Sequence, residues 1–285
     1  MCCHGEIECP IYLEDENMST MKILVLCVSV ALLCNSASAT LTPYADGQAN
    51  TGLLLHLDES SGTVAANTGG AGAGNGTMAA GASHPVSGVA AGFGNALGFS
   101  GSQSVMVPDH LSLRKADTGD GFTAEMWVKP TSLGSYQYLL NKYDGAHGYP
   151  GGRQYSMAIT ADGKLNWFAL RSDGVPVETI SGSWNGITGS TVLQNNQWYH
   201  AAATYNSGDG QWELWLNDQI EATFSAGAWG FASGASDLYL GSYNDSQNFF
   251  VGQMDEVRIG EYTYIPEPAT MALLAIGSLL LRRKS

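Results

Sequence analysis

Phe122-Thr123-Ala124-Glu125-Met126-Trp127-Val128-Lys129 alternates apolar and polar or bulky residues, with Phe122, Ala124, Met126 and Val128 on one face and Thr123, Glu125, Trp127 and Lys129 on the other. A period of two is the signature of a β-strand with one face against a core. Pro130-Thr131 ends the run with turn chemistry. The same period recurs in Trp212-Glu213-Leu214-Trp215-Leu216-Asn217 and in Leu238-Tyr239-Leu240-Gly241, closed by Asn217-Asp218 and by Ser242 to Asp245. No stretch between 40 and 265 sustains a helical period. The expected fold class is all-β, an antiparallel sandwich or jelly roll of many short strands joined by Gly-rich turns. Twelve glycines fall within residues 62–102, including Gly69-Gly70-Ala71-Gly72-Ala73-Gly74-Asn75-Gly76. They lack the strand-turn-helix context and the Lys-Ser/Thr of a phosphate loop, so this segment reads as a long surface connection whose glycines permit positive φ.

The chain has 285 residues, 12 basic and 26 acidic, a net charge of −14. Such a chain cannot neutralise phosphates with its own charge, which excludes a nucleic-acid partner. A hydrophobic fraction of 44% is enough for a sizeable core. All five cysteines, Cys2, Cys3, Cys9, Cys27 and Cys34, lie in the first 34 residues, so the rest of the chain has neither a disulfide nor a thiolate metal site. Met21-Lys22, the apolar run Ile23 to Leu33 and the small-x-small Ala37-Ser38-Ala39 form the pattern of a secretory signal peptide over 21–39. Residues 1–20 precede it with five acids and no base, and read as an extension upstream of the true start. The fold is expected from residues 40–265, whose eight basic and twenty acidic side chains make the domain itself acidic. At the other end, Pro266-Glu267-Pro268 leads into the apolar run Thr270 to Leu281 and then Arg282-Arg283-Lys284. A terminal basic cluster directly after an apolar run argues for an anchor with its bases on the cytoplasmic side.

Residues 266–285 closely resemble the PEP-CTERM sorting signal of certain Gram-negative bacteria, with the Pro-Glu-Pro, apolar and Arg-rich parts in order. The resemblance implies export, transient inner-membrane anchoring through 270–281 and processing by an exosortase-type enzyme, often in species that make an exopolysaccharide matrix. Residues 50–260 resemble the LamG-like, concanavalin A-like jelly-roll domains of secreted bacterial proteins. Five stretches carry this likeness: Gly52 to Thr63, Asn95 to Asp109, Phe122 to Pro130, Trp198 to Tyr205 with Leu214 to Asn217, and Gly252 to Ile259. The usual Asn-Gly hairpin turn is Asn217-Asp218 here, a workable substitute. Related jelly rolls hold a structural calcium where the acidic turn after the first strand meets the last strand, which points to Asp58 and Asp255, with Asp109 a third candidate. Hard carboxylate and carbonyl oxygens suit that ion.

Glycosidases on this scaffold need two carboxylates flanking one bond, roughly 5–5.5 Å apart for retention. No Glu-x-Asp-x-(x)-Glu occurs in 40–265. Glu125 has Thr123 and Trp127 as its same-face neighbours, Glu213 has Gln211 and Trp215, and the adjacent Asp255 and Glu256 point to opposite faces of a regular strand. No Gly-x-Ser-x-Gly elbow is present, and His56, His84, His110, His147 and His200 lack metal-site spacing. A non-catalytic protein is expected. Sugar rings stack their C–H faces on aromatic side chains, and the candidate loop aromatics are Trp184, Trp229, Phe231, Tyr243, Phe249 and Phe250, flanked by Asn185, Asn244, Asp245, Gln247 and Asn248. Tyr243 to Asn248, where aromatic and polar groups alternate, is the leading candidate. Three functions remain open: an exported module that binds a glycan or another matrix ligand, a structural matrix protein without a specific ligand, and a polysaccharide-degrading enzyme.

Overall fold

A computed structural model describes residues 43–79, 83–90, 92–114, 121–143, 153–169, 186–206, 210–225 and 235–261. The strands are β1 (Thr51–Leu55), β2 (Val64–Ala65), β3 (Gly76–Met78), β4 (Ser83–Ser87), β5 (Asn95–Ser100), β6 (Val105–Val107), β7 (Phe122–Pro130) and β8 (Gln137–Tyr143). They continue with β9 (Arg153–Ile159), β10 (Lys164–Ala169), β11 (Ile187–Val192), β12 (Tyr199–Asn206), β13 (Gln211–Leu216), β14 (Gln219–Ser225), β15 (Leu238–Leu240) and β16 (Val251–Gly260). One short 3-10 turn, Leu111–Leu113, is the helical element among the described residues.

All the pairings are antiparallel and build two eight-stranded sheets, the all-β jelly-roll sandwich expected. Sheet I runs β14-β13-β12-β7-β16-β5-β4, and sheet II runs β11-β10-β9-β8-β15-β6-β3-β2. The ten-residue β16 organises sheet I. Along one side it pairs with β7; along the other its first half pairs with β5 and its second half with β1. The register with β7 shifts between Asp255 and Arg258, and Glu256 adopts φ 49°. This β-bulge corrects the expectation for Asp255 and Glu256. Met254 and Val257 both enter the core, so two residues rather than one lie between successive inward side chains, and both carboxylates stay out of the apolar interior.

The inward face of β7 is the one its alternation marks: Phe122, Ala124, Met126 and Val128 are each 1% exposed or less. Phe122 sits at the centre of an aromatic cluster that bridges the sheets, with ring centroids 5.1 Å from Tyr155, 6.3 Å from Trp167 and 6.3 Å from Trp212. Trp167 and Trp212 pack on each other at 5.3 Å. The β13–β14 hairpin turns through Asn217 and Asp218 at φ 48° and 62°, the two left-handed residues that a two-residue turn requires. The Gly-rich segment 62–102 is not a simple connection. It contributes four whole strands, β2, β3, β4 and β5. Strands of two or three residues, one of them opening on the buried Gly76, are too short and too poor in side chains to display a period of two.

Replacing Phe122 with Ala should remove the common contact of three large rings and lower unfolding stability by about 3–5 kcal/mol. Denaturant unfolding of the two proteins measures it, and a loss below about 1 kcal/mol would show that the inter-sheet cluster does not depend on this ring.

Candidate functional site

Core residues Tyr155 and Met157 of β9 and Leu165 and Trp167 of β10 point inward, so their neighbours Gln154, Ser156, Asn166 and Phe168 face away from the core. With Tyr138, Asn141 and Tyr143 of β8 they form an outward surface rich in phenols and amides. A cavity of about 170 Å³ opens here, walled by Tyr136, Tyr138, Asn141, Tyr143, Gln154, Tyr155, Ser156, Phe168 and Tyr243. Four of the tyrosines form a continuous row. Tyr136 meets Tyr138 at 5.2 Å between centroids, Tyr138 meets Tyr243 at 5.5 Å, and Tyr243 meets Tyr143 at 5.4 Å, at interplanar angles from 40° to 69°. Burial, reinforced by Tyr138, raises the Tyr136 phenol above the usual tyrosine range, and burial raises Tyr155 as well. Both hydroxyls keep their protons at physiological pH. Tyr155 donates to the Leu113 carbonyl at 2.8 Å.

Of the residues singled out in the sequence, Tyr243 lies in this wall. The three polar residues near it serve the loop instead. Asn244, Asp245 and Asn248 have φ of 51°, 54° and 52°, conformations that Asn and Asp tolerate better than most side chains. Asn141 Nδ2 donates to Asn244 Oδ1 at 2.9 Å, and Ser104 Oγ donates to Asp245 Oδ1 at 2.7 Å. The Asn248 carbonyl accepts from the Tyr138 amide at 3.0 Å. The bonds from Asn141 and Tyr138 fasten the turn that carries Tyr243 to strand β8, and the one from Ser104 ties it to the residue ahead of β6. Phe250 is fully buried against Phe99 and belongs to the core. Trp184 and Trp229, and with them Asn185 and Phe231, lie outside the described residues, as do Pro266, Glu267, Pro268, Arg282 and Arg283.

A second polar centre lies on sheet I beside the bulge. Asp255 is fully buried; its Oδ2 accepts from the Val89 amide at 3.2 Å, while Oδ1 has no hydrogen-bond partner among the described residues. Burial first, then the negative charges of Glu256 and Asp58, push its carboxyl up to about 8. A methyl-sized probe at the position of a Gly88 Cβ would stand 2.9 Å from Asp255 Oδ2, 3.0 Å from the Gly94 carbonyl and 3.2 Å from the Asn95 carbonyl. Gly94 adopts φ 70°, and a Cβ there would run into the Asp58 carboxylate. Asp58 Oδ1 in turn accepts from the Asn95 amide at 2.5 Å. Two carboxylates and two main-chain carbonyls thus gather where the acidic turn after β1 meets β16. Among the described residues no group of three or more His, Cys, Asp or Glu side chains does so. Asp109 does not join this cradle: its Oδ1 receives Lys142 Nζ at 2.6 Å and its Oδ2 receives Arg114. The fully buried Lys142 needs a counter-charge, and Asp109 supplies it.

Glu125 is also buried, with its Oε2 3.2 Å from His200 Nε2 and its Oε1 3.5 Å from Arg258 Nη1. His200 meets the Tyr44 hydroxyl at 2.9 Å and packs on Trp127 at 5.1 Å. Nearby, His56 lies between Glu256 at 2.6 Å and Asp46 at 2.9 Å, and its pKa is raised to about 9, chiefly by the hydrogen bond to Glu256. These groups pin the segment around Tyr44 across the outside of sheet I. Strand β12 separates Glu125 from Glu213, so those two carboxylates do not form a pair.

Residues 99–266, more than half of the chain, match the model of a family described as the concanavalin A-like lectin/glucanases superfamily, a laminin G type. The chain belongs to this superfamily. Solved structures agree in fold. Domain 4 of AbnA, an extracellular arabinanase from Geobacillus stearothermophilus, in complex with arabinotriose, matches at 18% identity with TM-score 0.54, over 79% of this chain and 98% of that one. The binding domain of Paraclostridial Mosquitocidal Protein 1 matches at 18% identity and TM-score 0.53, over 78% of this chain and 51% of that one. The receptor-binding domain of botulinum neurotoxin D matches at 13% identity and TM-score 0.53, over 81% and 53%. The chain spans about half the length of these two toxin domains. No curated protein matches it in sequence.

Within this superfamily fold, the residues that the sequence did not single out are Tyr136, Tyr138, Asn141, Tyr143, Gln154 and Phe168. A signal was present in Tyr136-Gln137-Tyr138, where two phenols lie two residues apart and therefore on one strand face.

Proposed function

We propose that this concanavalin A-like domain binds carbohydrate without transforming it, and that the tyrosine pocket on the outer face of sheet II is the binding site. The row Tyr136, Tyr138, Tyr243 and Tyr143 carries the reading. It places apolar ring faces beside phenol and amide groups on the outward face of sheet II, the combination that a sugar needs for C–H stacking and for its hydroxyls. The cavity, about 170 Å³, is small against the roughly 300–1,000 Å³ of sites that enclose drug-sized ligands. It suits one sugar ring seated at depth, with the neighbouring units of a chain lying over the half-buried tyrosines. The arabinotriose held by a domain of the same fold gives precedent for an oligosaccharide on this architecture. Glu125 is held between His200 and Arg258, which suits a structural role for this carboxylate.

The cradle between Asp58 and Asp255 is proposed to hold calcium. A buried carboxylate with one oxygen beside two carbonyls, and the other without a hydrogen-bond partner among the described residues, is an arrangement whose burial cost a divalent cation would offset. Asp58 and Asp255 would supply charge, and Gly94 and Asn95 main-chain oxygens. The ion would tie the β1 turn to β16 and has no place in ligand chemistry at the pocket on the other sheet. Export through residues 21–39 and sorting through residues 266–285 by an exosortase-type system complete the proposal, with a surface or extracellular-matrix glycan as the ligand and transient inner-membrane anchoring through 270–281.

Three outcomes are expected. Tyr243→Ala should weaken oligosaccharide binding on a glycan array and in calorimetry about tenfold or more, equivalent to about 1.4 kcal/mol, and unchanged binding would remove the pocket from the reading. Chelation should lower the melting temperature by roughly 5–10 °C relative to calcium at a hundred times its dissociation constant; Asp255→Asn should abolish that difference, and a melting curve indifferent to chelator argues against the ion. In a host with an exosortase-type system, deletion of 266–285 should move the protein from the membrane fraction to the medium, and an unchanged distribution would refute the sorting role.

A further inference from the structure

The outer face of sheet II continues beyond the tyrosine pocket along a line set by backbone pairing. Phe168 lies opposite Ser156, Ser156 opposite Asn141, Asn141 opposite Tyr239, Tyr239 opposite Met106 and Met106 opposite Thr77. The first three residues belong to the pocket wall, and the last three carry the line away from it. Strands β15, β6 and β3 have three residues each; the flanking pair is buried, and the middle residue, Tyr239, Met106 or Thr77, is half-buried or exposed. Each of these strands therefore presents one outward side chain, and the surface they share is continuous only across the strands. Next in the line, Val64 of β2 stands opposite Thr77 and is 51% exposed. The turn that carries Tyr243 runs beside the line, tied to Asn141 within it and to Ser104, two residues before Met106.

Building on the carbohydrate reading, we infer that the site is a cross-strand track for the interior of an extended, β-linked polysaccharide, with a second contact region at Tyr239, Met106 and Thr77. The pocket takes one ring, the tyrosines flank it, and the chain leaves over Tyr239 across the strands. The spacing favours this occupant. Neighbouring strands lie about 4.8 Å apart, close to the advance per ring of a flat, extended glycan chain, so successive rings meet successive strands. From Phe168 to Thr77 there are five such intervals, about 24 Å, the length of about five rings. The side chains suit the same occupant: the Tyr239 ring offers a stacking face, the flexible Met106 thioether adapts to the ring above it, and the Thr77 hydroxyl both donates and accepts. All three sit on paired strands, so their positions are set before the ligand arrives. A peptide would instead be read along an edge strand through its main chain, whereas β15, β6 and β3 are interior strands of sheet II.

The test uses the full chain and three β-linked ladders, xylo-, cello- and manno-oligosaccharides from dimer to hexamer, titrated by calorimetry. In a ladder that binds, the hexamer should bind at least about tenfold more tightly than the dimer. Tyr239→Ala should cut that hexamer-to-dimer ratio about fivefold or more, and Thr77→Tyr, at an exposed position, should widen it. Should Tyr239→Ala fail to fold, Thr77→Tyr decides alone. A dimer that binds as tightly as the hexamer, or a ratio that the folded variants leave unmoved, overturns the track and leaves the pocket standing. If none of the ladders binds while a compact or branched glycan on an array does, the extended occupant is wrong and this inference falls by itself. If no glycan of a broad array binds, or if binding persists in Tyr243→Ala, the carbohydrate site falls and this inference with it.

Discussion

Strand β16 has to satisfy three neighbours at once. It hydrogen-bonds β7 along its length, β5 beside its first half and β1 beside its second, so the register of sheet I is set by where this strand breaks step. The break is the bulge at Asp255 and Glu256, and it solves a packing problem. Met254 and Val257 both stay in the core, while the extra residue lets two acidic side chains leave it on the same stretch of backbone. The cost is a pair of carboxylates with little solvent, and the surrounding chain answers each separately. Glu256 receives His56 and the Tyr44 amide. Asp255 receives the Val89 amide through Oδ2, the same oxygen that lies beside the Gly94 and Asn95 carbonyls.

The two sheets are specialised in different ways. Sheet I has ion-paired and hydrogen-bonded side chains on its outer surface, among them Glu125, His200 and Arg258, closed over by the segment around Tyr44. On sheet II the described outward-facing residues around the pocket are aromatic, amide and hydroxyl side chains. Both share one interior, in which Phe122, Tyr155, Trp167 and Trp212 touch across the gap. Tyr155 belongs to both regions: its ring packs in the core and it also forms part of the pocket wall. The shape of the pocket is thus set by a side chain that the core holds rigid, as a preorganised binding surface requires.

The fold class was legible because β7, β13 and β15 alternate cleanly, and the turn at Asn217-Asp218 adopts the left-handed geometry its residues suggest. The strands between residues 62 and 102 were not legible. Runs of two to six residues rich in glycine give a period of two nothing to act on, and tertiary pairing alone decides them. The carboxylates were readable in part: Asp58 lies near Asp255, but Asp109 is drawn to a buried lysine that sequence proximity does not reveal. The pocket is illegible for a related reason. Loops are not where its aromatics lie: three of the four tyrosines in the row are set along or just ahead of a regular strand, β8, and only the pairing of β8 with β9 and β15 brings Tyr243 beside them.

The first and last strands of the domain are partners, with Thr51 opposite Gly260. The chain enters and leaves at adjacent points of sheet I, on the opposite side of the sandwich from the tyrosine surface. Tension drawn between those two points would peel β1 from β16 one hydrogen bond at a time, the weakest direction in which to load an antiparallel pair. A load carried from a ligand on sheet II to a single attachment at either end would cross the stacked aromatic interior instead. The two loading paths thus differ in kind: one opens the edge of a strand pair, the other runs through the packed core.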